Sequence, residues 1–211
     1  MTYRPRTSLL LALLLLSVAV RLVPFVLARV GISIDPADTV YPWNFSPLLA
    51  ASLFGGACLA DRRLACLLPI ASYLLGDLGI WLLSGQRDWA FYPYQPIVYL
   101  SLALVVATGF LVRTRRSMAR IAGAGLLSAV AFFLITNLGV WIGGGGARYP
   151  LTAAGLVECY VQAIPFFRNS LIGMAVFLPL LFSRVGLAPA RAPRRLPVLL
   201  GRPRATVEGP G

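Results

Sequence analysis

Lysine and histidine are absent from the 211 residues, and acidic side chains number only seven, so all nineteen basic residues are arginine. A P-loop needs a lysine on the phosphates and a zincin-type site needs paired histidines, which excludes an intrinsic ATPase and a histidine-ligated metal enzyme. If transport is powered by ATP, another subunit hydrolyses it. Cysteine is scarce as well. Cys58 and Cys66 fall at the inner ends of two expected helices and Cys159 near the outer face, so no disulfide is expected and all three read as small packing residues. What fills the chain is apolar: 58% of residues are hydrophobic, 12% are charged, and the mean hydropathy is +0.79. That leaves too few charges to solvate a soluble domain and indicates an integral membrane protein.

The apolar runs order the chain. Arg4 and Arg6 precede a first span from Ser8 to Ala28. A secretory signal with an apolar stretch from Leu9 to Val20 and a cleavage site at Ser17-Val18-Ala19 is the rival reading, but apolar residues continuing to Ala28 favour a retained helix. A polar connection from Arg29 to Asn44, holding Asp35, Pro36 and Asp38, leads to Ser46-Pro47, an N-cap and N1 pair. The second helix runs from there through Gly55-Gly56 to Ala60, short for a span. The third runs from Leu64 to Leu83 and carries Asp77. Ser84 to Gln95 is an aromatic-rich loop with the composition of an interfacial belt. The fourth helix, Pro96 to Val112, ends at Arg113, Arg115, Arg116 and Arg120. The fifth occupies Ile121 to Ile142 and is broken by Gly143 to Gly146. Thr152 to Gln162 reads as a short amphipathic helix lying at the surface, and Ile164 to Ser183 as the sixth span.

The expected fold is therefore an all-α membrane protein of six transmembrane helices over residues 1–183. An Arg/Pro-rich tail, residues 184–211, is expected to be disordered and to touch anionic lipid. Fourteen arginines fall at the two termini and in the loops after the second and fourth helices, against Arg29, Arg87 and Arg148 opposite. The positive-inside rule then places both termini in the cytoplasm and accounts for the net charge of +12 without nucleic-acid binding.

Polar groups within the spans gather at one depth. Arg21 and Asp77 lie about 20 Å along their helices from the inner face and Asn137 about 24 Å along its own. Arg168 and Asn169 enter the sixth span from outside, and Asn44 precedes the second. Tyr73 and Trp81 share the face of Asp77, and Phe133 and Trp141 that of Asn137, at four-residue spacing. Polar groups between aromatic ones suit a ligand pocket, with Glu158 and Tyr160 as candidate lid residues. The competing reading is structural. Arg21 or Arg168 would neutralise Asp77, Asn137 would act as helix glue, the tryptophans would anchor the belt, the glycines would be close-packing points, and Glu158 would lie on a wet helix face.

At NFSPLLAASLFGGA (Asn44–Ala57), at Asp77, at FFLITNLGVW (Phe132–Trp141) and at YPLTAAGLVECYVQAIPFFRN (Tyr149–Asn169), the chain resembles a family of bacterial six-helix membrane proteins, over Arg21 to Phe182. That family is similar in turn to the substrate-binding S components of energy-coupling factor (ECF) transporters. The resemblance implies an outward-opening pocket, docking on a transmembrane T component driven by two ATPases, and vitamins, their precursors or metal ions as substrates. The sequence departs from the pattern in its first helix, where only Ser8 and Ala12 keep the small-residue docking spacing before Leu16.

The expected function is a solute-binding subunit in the bacterial inner membrane, without cofactor or catalytic residues. An enzyme would need paired aspartates, a serine-histidine pair or a metal, and one intramembrane carboxylate without histidine cannot supply these. A ligand-free membrane scaffold is the alternative. An anionic or zwitterionic solute is expected, because helices two, four and six would aim their positive ends into the polar layer beside Arg21 and Arg168. Gly143 to Gln162 would close over it.

Overall fold

An eleven-residue helix, α2 (Leu48–Cys58), lies at the centre of the molecule, and every residue from Leu49 to Ala57 is buried. The computed structural model describes residues 3–32 and 44–189. Around α2 stand α1 (Thr7–Arg29), α3 (Arg62–Ser84), α5 (Gln95–Leu111), α6 (Met118–Gly143) and α7 (Ala153–Phe182), with a single turn α4 (Arg87–Ala90) leading into α5. Five spans are long and apolar enough to cross a membrane, one of them running from Arg87 through α4 to the end of α5; α2 is not among them. At about 16 Å it is half the thickness of a hydrocarbon core. Expected as the second of six spans, it is instead a short helix held inside the bundle.

A buried helix end needs partners for its unpaired backbone groups. The Ser46 hydroxyl accepts from Leu48 N at 3.2 Å at the start of α2. At its other end the Arg113 guanidinium donates to Gly56 O (3.1 Å) and to Leu59 O, and Arg116 donates to Ala57 O at 2.9 Å. Two arginines that the sequence offered as topology signals thus also cap α2, where a positive charge meets the negative end of the helix dipole. Arg29 does the same for α3, donating to Leu83 O at 2.7 Å.

Close backbone contact fixes α2 against α5. A Cβ on Gly56 would stand 2.1 Å from Val106 O, and one on Gly109 would stand 2.2 Å from Leu53 O. Gly55, with nothing nearer than 3.7 Å, is not part of that contact. The outer faces carry apolar residues such as Leu15, Leu67, Leu82 and Leu126, while Ser17, Ser52, Ser72, Ser101, Ser128 and Ser170 are buried. Apolar outside and small polar inside is the pattern of helices packed in lipid.

Two expectations are corrected. The surface helix from Thr152 to Gln162 and the sixth span are one helix, α7, of 30 residues, capped by Thr152 and running through Pro165 without a break. Its length of about 45 Å exceeds the hydrocarbon core, so the wet residues of its first turns need no separate element. Leu187–Pro189, assigned to a disordered tail, forms strand β2 antiparallel to β1 (Tyr3–Pro5), with Arg4 opposite Ala188. The rest of the tail, and Asp35, Pro36 and Asp38, lie outside the described residues. Gly143 to Gly146 does end α6, with Gly145 and Gly146 at φ of 56° and 84° in the left-handed region that favours glycine.

Gly56→Ala and Gly109→Ala are each expected to cost about 1–3 kcal/mol by forcing α2 and α5 apart, whereas Gly55→Ala should be nearly neutral. Unfolding in detergent micelles checks this, and equal effects at Gly55 and Gly56 would contradict it.

Candidate functional site

Arg21 faces α3 across a gap that glycine makes possible. A Cβ on Gly76 would sit 3.1 Å from Arg21 Cδ, so this position leaves room for the arginine to lie flat on the helix. The guanidinium covers the Tyr73 ring at 3.8 Å, donates to Tyr73 O at 3.0 Å, and forms an ion pair with Asp77 Oδ1. The other carboxylate oxygen, Oδ2, accepts from Gln95 Nε2 and from the Tyr99 hydroxyl at 3.2 Å. Asp77 is 0% exposed and Arg21 24%. This is the one ion pair among the described residues. Gln95 and Tyr99 come from one face of α5 at four-residue spacing, so the network joins α1, α3 and α5.

In front of this network opens a cavity of about 360 Å³. Arg21, Ser17 and Phe25 line it from α1, Ser72 and Tyr73 from α3, Tyr92, Tyr94 and Val98 from the α4–α5 region, Phe132 and Thr136 from α6, and Ser170 from α7, with Asn44 and Ser46 at the start of α2. The Tyr73 and Tyr92 hydroxyls bond each other at 2.9 Å. Ser17, Thr136 and Ser170 donate to carbonyls one turn back in their own helices, and Ser72 donates across to Leu14 O at 2.9 Å. With their protons so used, these four hydroxyls offer lone pairs to the cavity, and donors come from Arg21, the Asn44 amide, the Ser46 hydroxyl and the tyrosine hydroxyls. A smaller cavity of about 120 Å³ adjoins it, sharing Asn44, Phe132, Thr136 and Ser170 and adding Phe133 and Asn137.

The twelve residues singled out from the sequence divide accordingly. Arg21, Asn44 and Tyr73 line the main cavity, and Phe133 and Asn137 the smaller one. Asn137 also donates to Phe133 O at 2.8 Å within its own helix. Asp77 lies behind the cavity wall as the partner of Arg21. Trp81 is 42% exposed and packs on Phe91. The Trp141 indole donates to Pro150 O at 2.9 Å and the Tyr160 hydroxyl to Leu134 O at 2.8 Å, so both tie the start of α7 to α6. Glu158 and Arg168 are exposed, and neither they nor the half-buried Asn169 line either cavity.

The convergence of Arg21, Asp77, Asn137 and Arg168 in one cavity is therefore corrected: Arg21 lines the main cavity, Asn137 the smaller one, and Asp77 and Arg168 line neither. Arg168 is outside, Arg21 is neutralised by Asp77, and α7 begins about 25 Å along its axis from Ser170 rather than at the cavity. The positive character that remains is partial, from the amino ends of α2 and α5, whose first residues line the cavity. A lid from Gly143 to Gln162 is corrected too, because residues 153–162 belong to α7 and are pinned to α6.

Tyr92, Tyr94, Gln95 and Tyr99 were missed. Tyr92 and Tyr94 fall in the stretch whose composition reads as a lipid belt, and Gln95 and Tyr99 share a helix face whose contact with Asp77 only the fold reveals.

Apolar outer faces, a buried charged network and a cavity with a few polar groups among apolar walls together define an all-helical, multi-pass membrane protein. The chain belongs to a family of unknown function (DUF6580), whose model matches residues 1–198. No curated protein and no solved structure matches it.

Arg21→Ala should destabilise the protein by about 3–5 kcal/mol, because it strands a buried carboxylate, and adding Asp77→Asn should restore much of the loss. Unfolding of the two single variants and the double variant measures the coupling; strictly additive effects would contradict it.

Proposed function

We propose that the protein is the membrane-embedded binding subunit of an uptake system for a small, uncharged solute, energised by separate ATPase subunits through a transmembrane partner. The observation that carries this reading is the cavity of about 360 Å³ among five long helices and the start of α2. Its size is that of pockets which enclose small molecules, and its lining mixes aromatic walls with a few orienting polar groups. The resemblance to ECF S components supplies the transport class and the ATPase partners.

The electrostatics select the solute. An anion brought to Arg21 would share a cation already held by Asp77, leaving an unbalanced negative charge in a medium of low dielectric. A neutral solute meets no such cost. Hydroxyl and amide N–H groups on it would find the serine and threonine oxygens, and a flat ring would find Tyr92, Tyr94 and Phe132. A ligand-free scaffold is the second reading, favoured by one observation: the ion pair is satisfied by protein groups alone.

Thermal unfolding of purified protein with panels of neutral, anionic and cationic solutes tests the binding reading. A neutral solute at a hundred times its Kd should stabilise by about 2.7 kcal/mol, and Thr136→Phe, which fills the cavity, should abolish the shift. Stabilisation by anions alone would overturn the charge argument, and no binding from any class would leave the scaffold.

We propose further that the arginine-rich end faces the cytoplasm of a bacterial inner membrane. With the three native cysteines replaced by alanine, a membrane-impermeant thiol reagent applied to whole cells should label Ala147→Cys and spare Thr114→Cys. The reverse pattern would invert the topology.

A further inference from the structure

Beside the main cavity, the second space of about 120 Å³ lies between α6 and α7. Phe132 and Phe133 wall it from α6 and Phe166 and Phe167 from α7, with Ala129 and Ala163 leaving room that larger side chains would fill. The Phe133 ring stacks on Phe167 at 4.5 Å, 28° from parallel, and packs on Tyr160 at 5.5 Å. Tyr160 is itself tied to Leu134 O, so the wall is braced from both helices. A space held open in this way is preformed, as ligand sites usually are. Asn44, Phe132, Thr136 and Ser170 line both spaces, so the two meet at these residues.

Two amides serve the smaller space. Asn137 spends one N–H on Phe133 O at 2.8 Å, and its second N–H and its carbonyl oxygen have no partner among the described residues. Asn44, at the junction, has φ of 63°, the one non-glycine residue of positive φ among the described residues, and its side-chain amide is likewise without a partner among them. Among the described residues no charged side chain lines the smaller space. A carboxylate or ammonium entering it would lose its water and meet no counter-charge. An apolar cavity of about 150 Å³ admits a benzene ring, so one of about 120 Å³ takes a chain of about five heavy atoms rather than a second ring. The phenyl walls suit methylene groups, and the open donor and acceptor of Asn137 suit an acceptor and a donor at the end of that chain.

From this juxtaposition we infer that the two spaces form one site for a two-part solute, a flat ring against Tyr92, Tyr94 and Phe132 and a short uncharged arm that passes Thr136 and ends in an amide-like group read by Asn137. Asn44 stands between the two parts and offers its amide to either. The inference rests on the reading of the main cavity as a solute site and adds to it the shape and chemistry of the solute's second half. Asn137 becomes the residue that selects among neutral ring compounds.

Isothermal titration calorimetry on the full chain in detergent micelles, with empty micelles as the blank, tests the site using benzamide, phenylacetamide, 3-phenylpropanamide and 3-phenylpropanoate. Affinity in the wild type should rise with the length of the amide arm, 3-phenylpropanamide exceeding benzamide by roughly 5- to 10-fold, and the carboxylate should bind more weakly than its amide. Asn137→Leu, which keeps the volume but removes the amide, should bring 3-phenylpropanamide down to the level of benzamide. Ala163→Leu, which fills the smaller space and leaves Asn137 in place, should do the same, with circular dichroism confirming that helix content is retained. Affinity independent of arm length in the wild type, an arm-length gain that survives in either variant, or a carboxylate preferred over its amide would each overturn the proposal. Absence of binding by all three amides would overturn it too, and the wider solute panel then shows whether the reading of the main cavity falls with it.

Discussion

The fold turns on one charge pair placed where no charge can stand alone. Asp77 is wholly enclosed, and a bare carboxylate there would cost several kcal/mol. Arg21 from α1 neutralises it, while Gln95 and Tyr99 from α5 occupy its second oxygen. Three helices are thereby held in a single register, because a shift of one residue along any of them would break the network. Gly76 belongs to the same constraint. A Cβ there would press on Arg21 Cδ at 3.1 Å and push the guanidinium from its place against Tyr73.

That pair also decides what the cavity can accept. The cation is the group that would attract an anionic solute, and the protein has already given it a partner. What remains exposed is the open edge of Arg21, a set of hydroxyls and aromatic walls. Such a surface discriminates by shape and hydrogen bonding rather than by charge. Elsewhere arginine acts in a different way: Arg113, Arg116 and Arg29 close the carbonyl ends of α2 and α3, so a residue type read first as a topology marker is also structural.

Much of this was legible in the sequence. Apolar run lengths located the long helices, Ser46 and Thr152 marked helix starts, and the glycine run marked the end of α6. Arg21 and Asp77 stood out because ionisable groups in an apolar span require partners. What was hidden depended on contacts distant in sequence. Hydropathy alone could not distinguish a short membrane span from α2, a buried helix capped by arginines from another loop. The amphipathic pattern of Thr152 to Gln162 reads as a separate surface helix, yet α7 runs on unbroken into the last span. Arg168 was placed in the pocket by depth, but depth along a helix does not fix the face, and the side chain points away. Gln95 was overlooked because a single glutamine at a helix start carries no signal until Asp77 is seen beside it.

The central claim is that the cavity in front of the Arg21–Asp77 pair holds an uncharged small molecule. Mass spectrometry of the small molecules retained by gently purified protein, wild type against Thr136→Phe, tests it most directly. The account predicts a neutral compound bound to the wild type and missing from the variant. The same compounds on both proteins, or a charged compound lost from the variant, would contradict it.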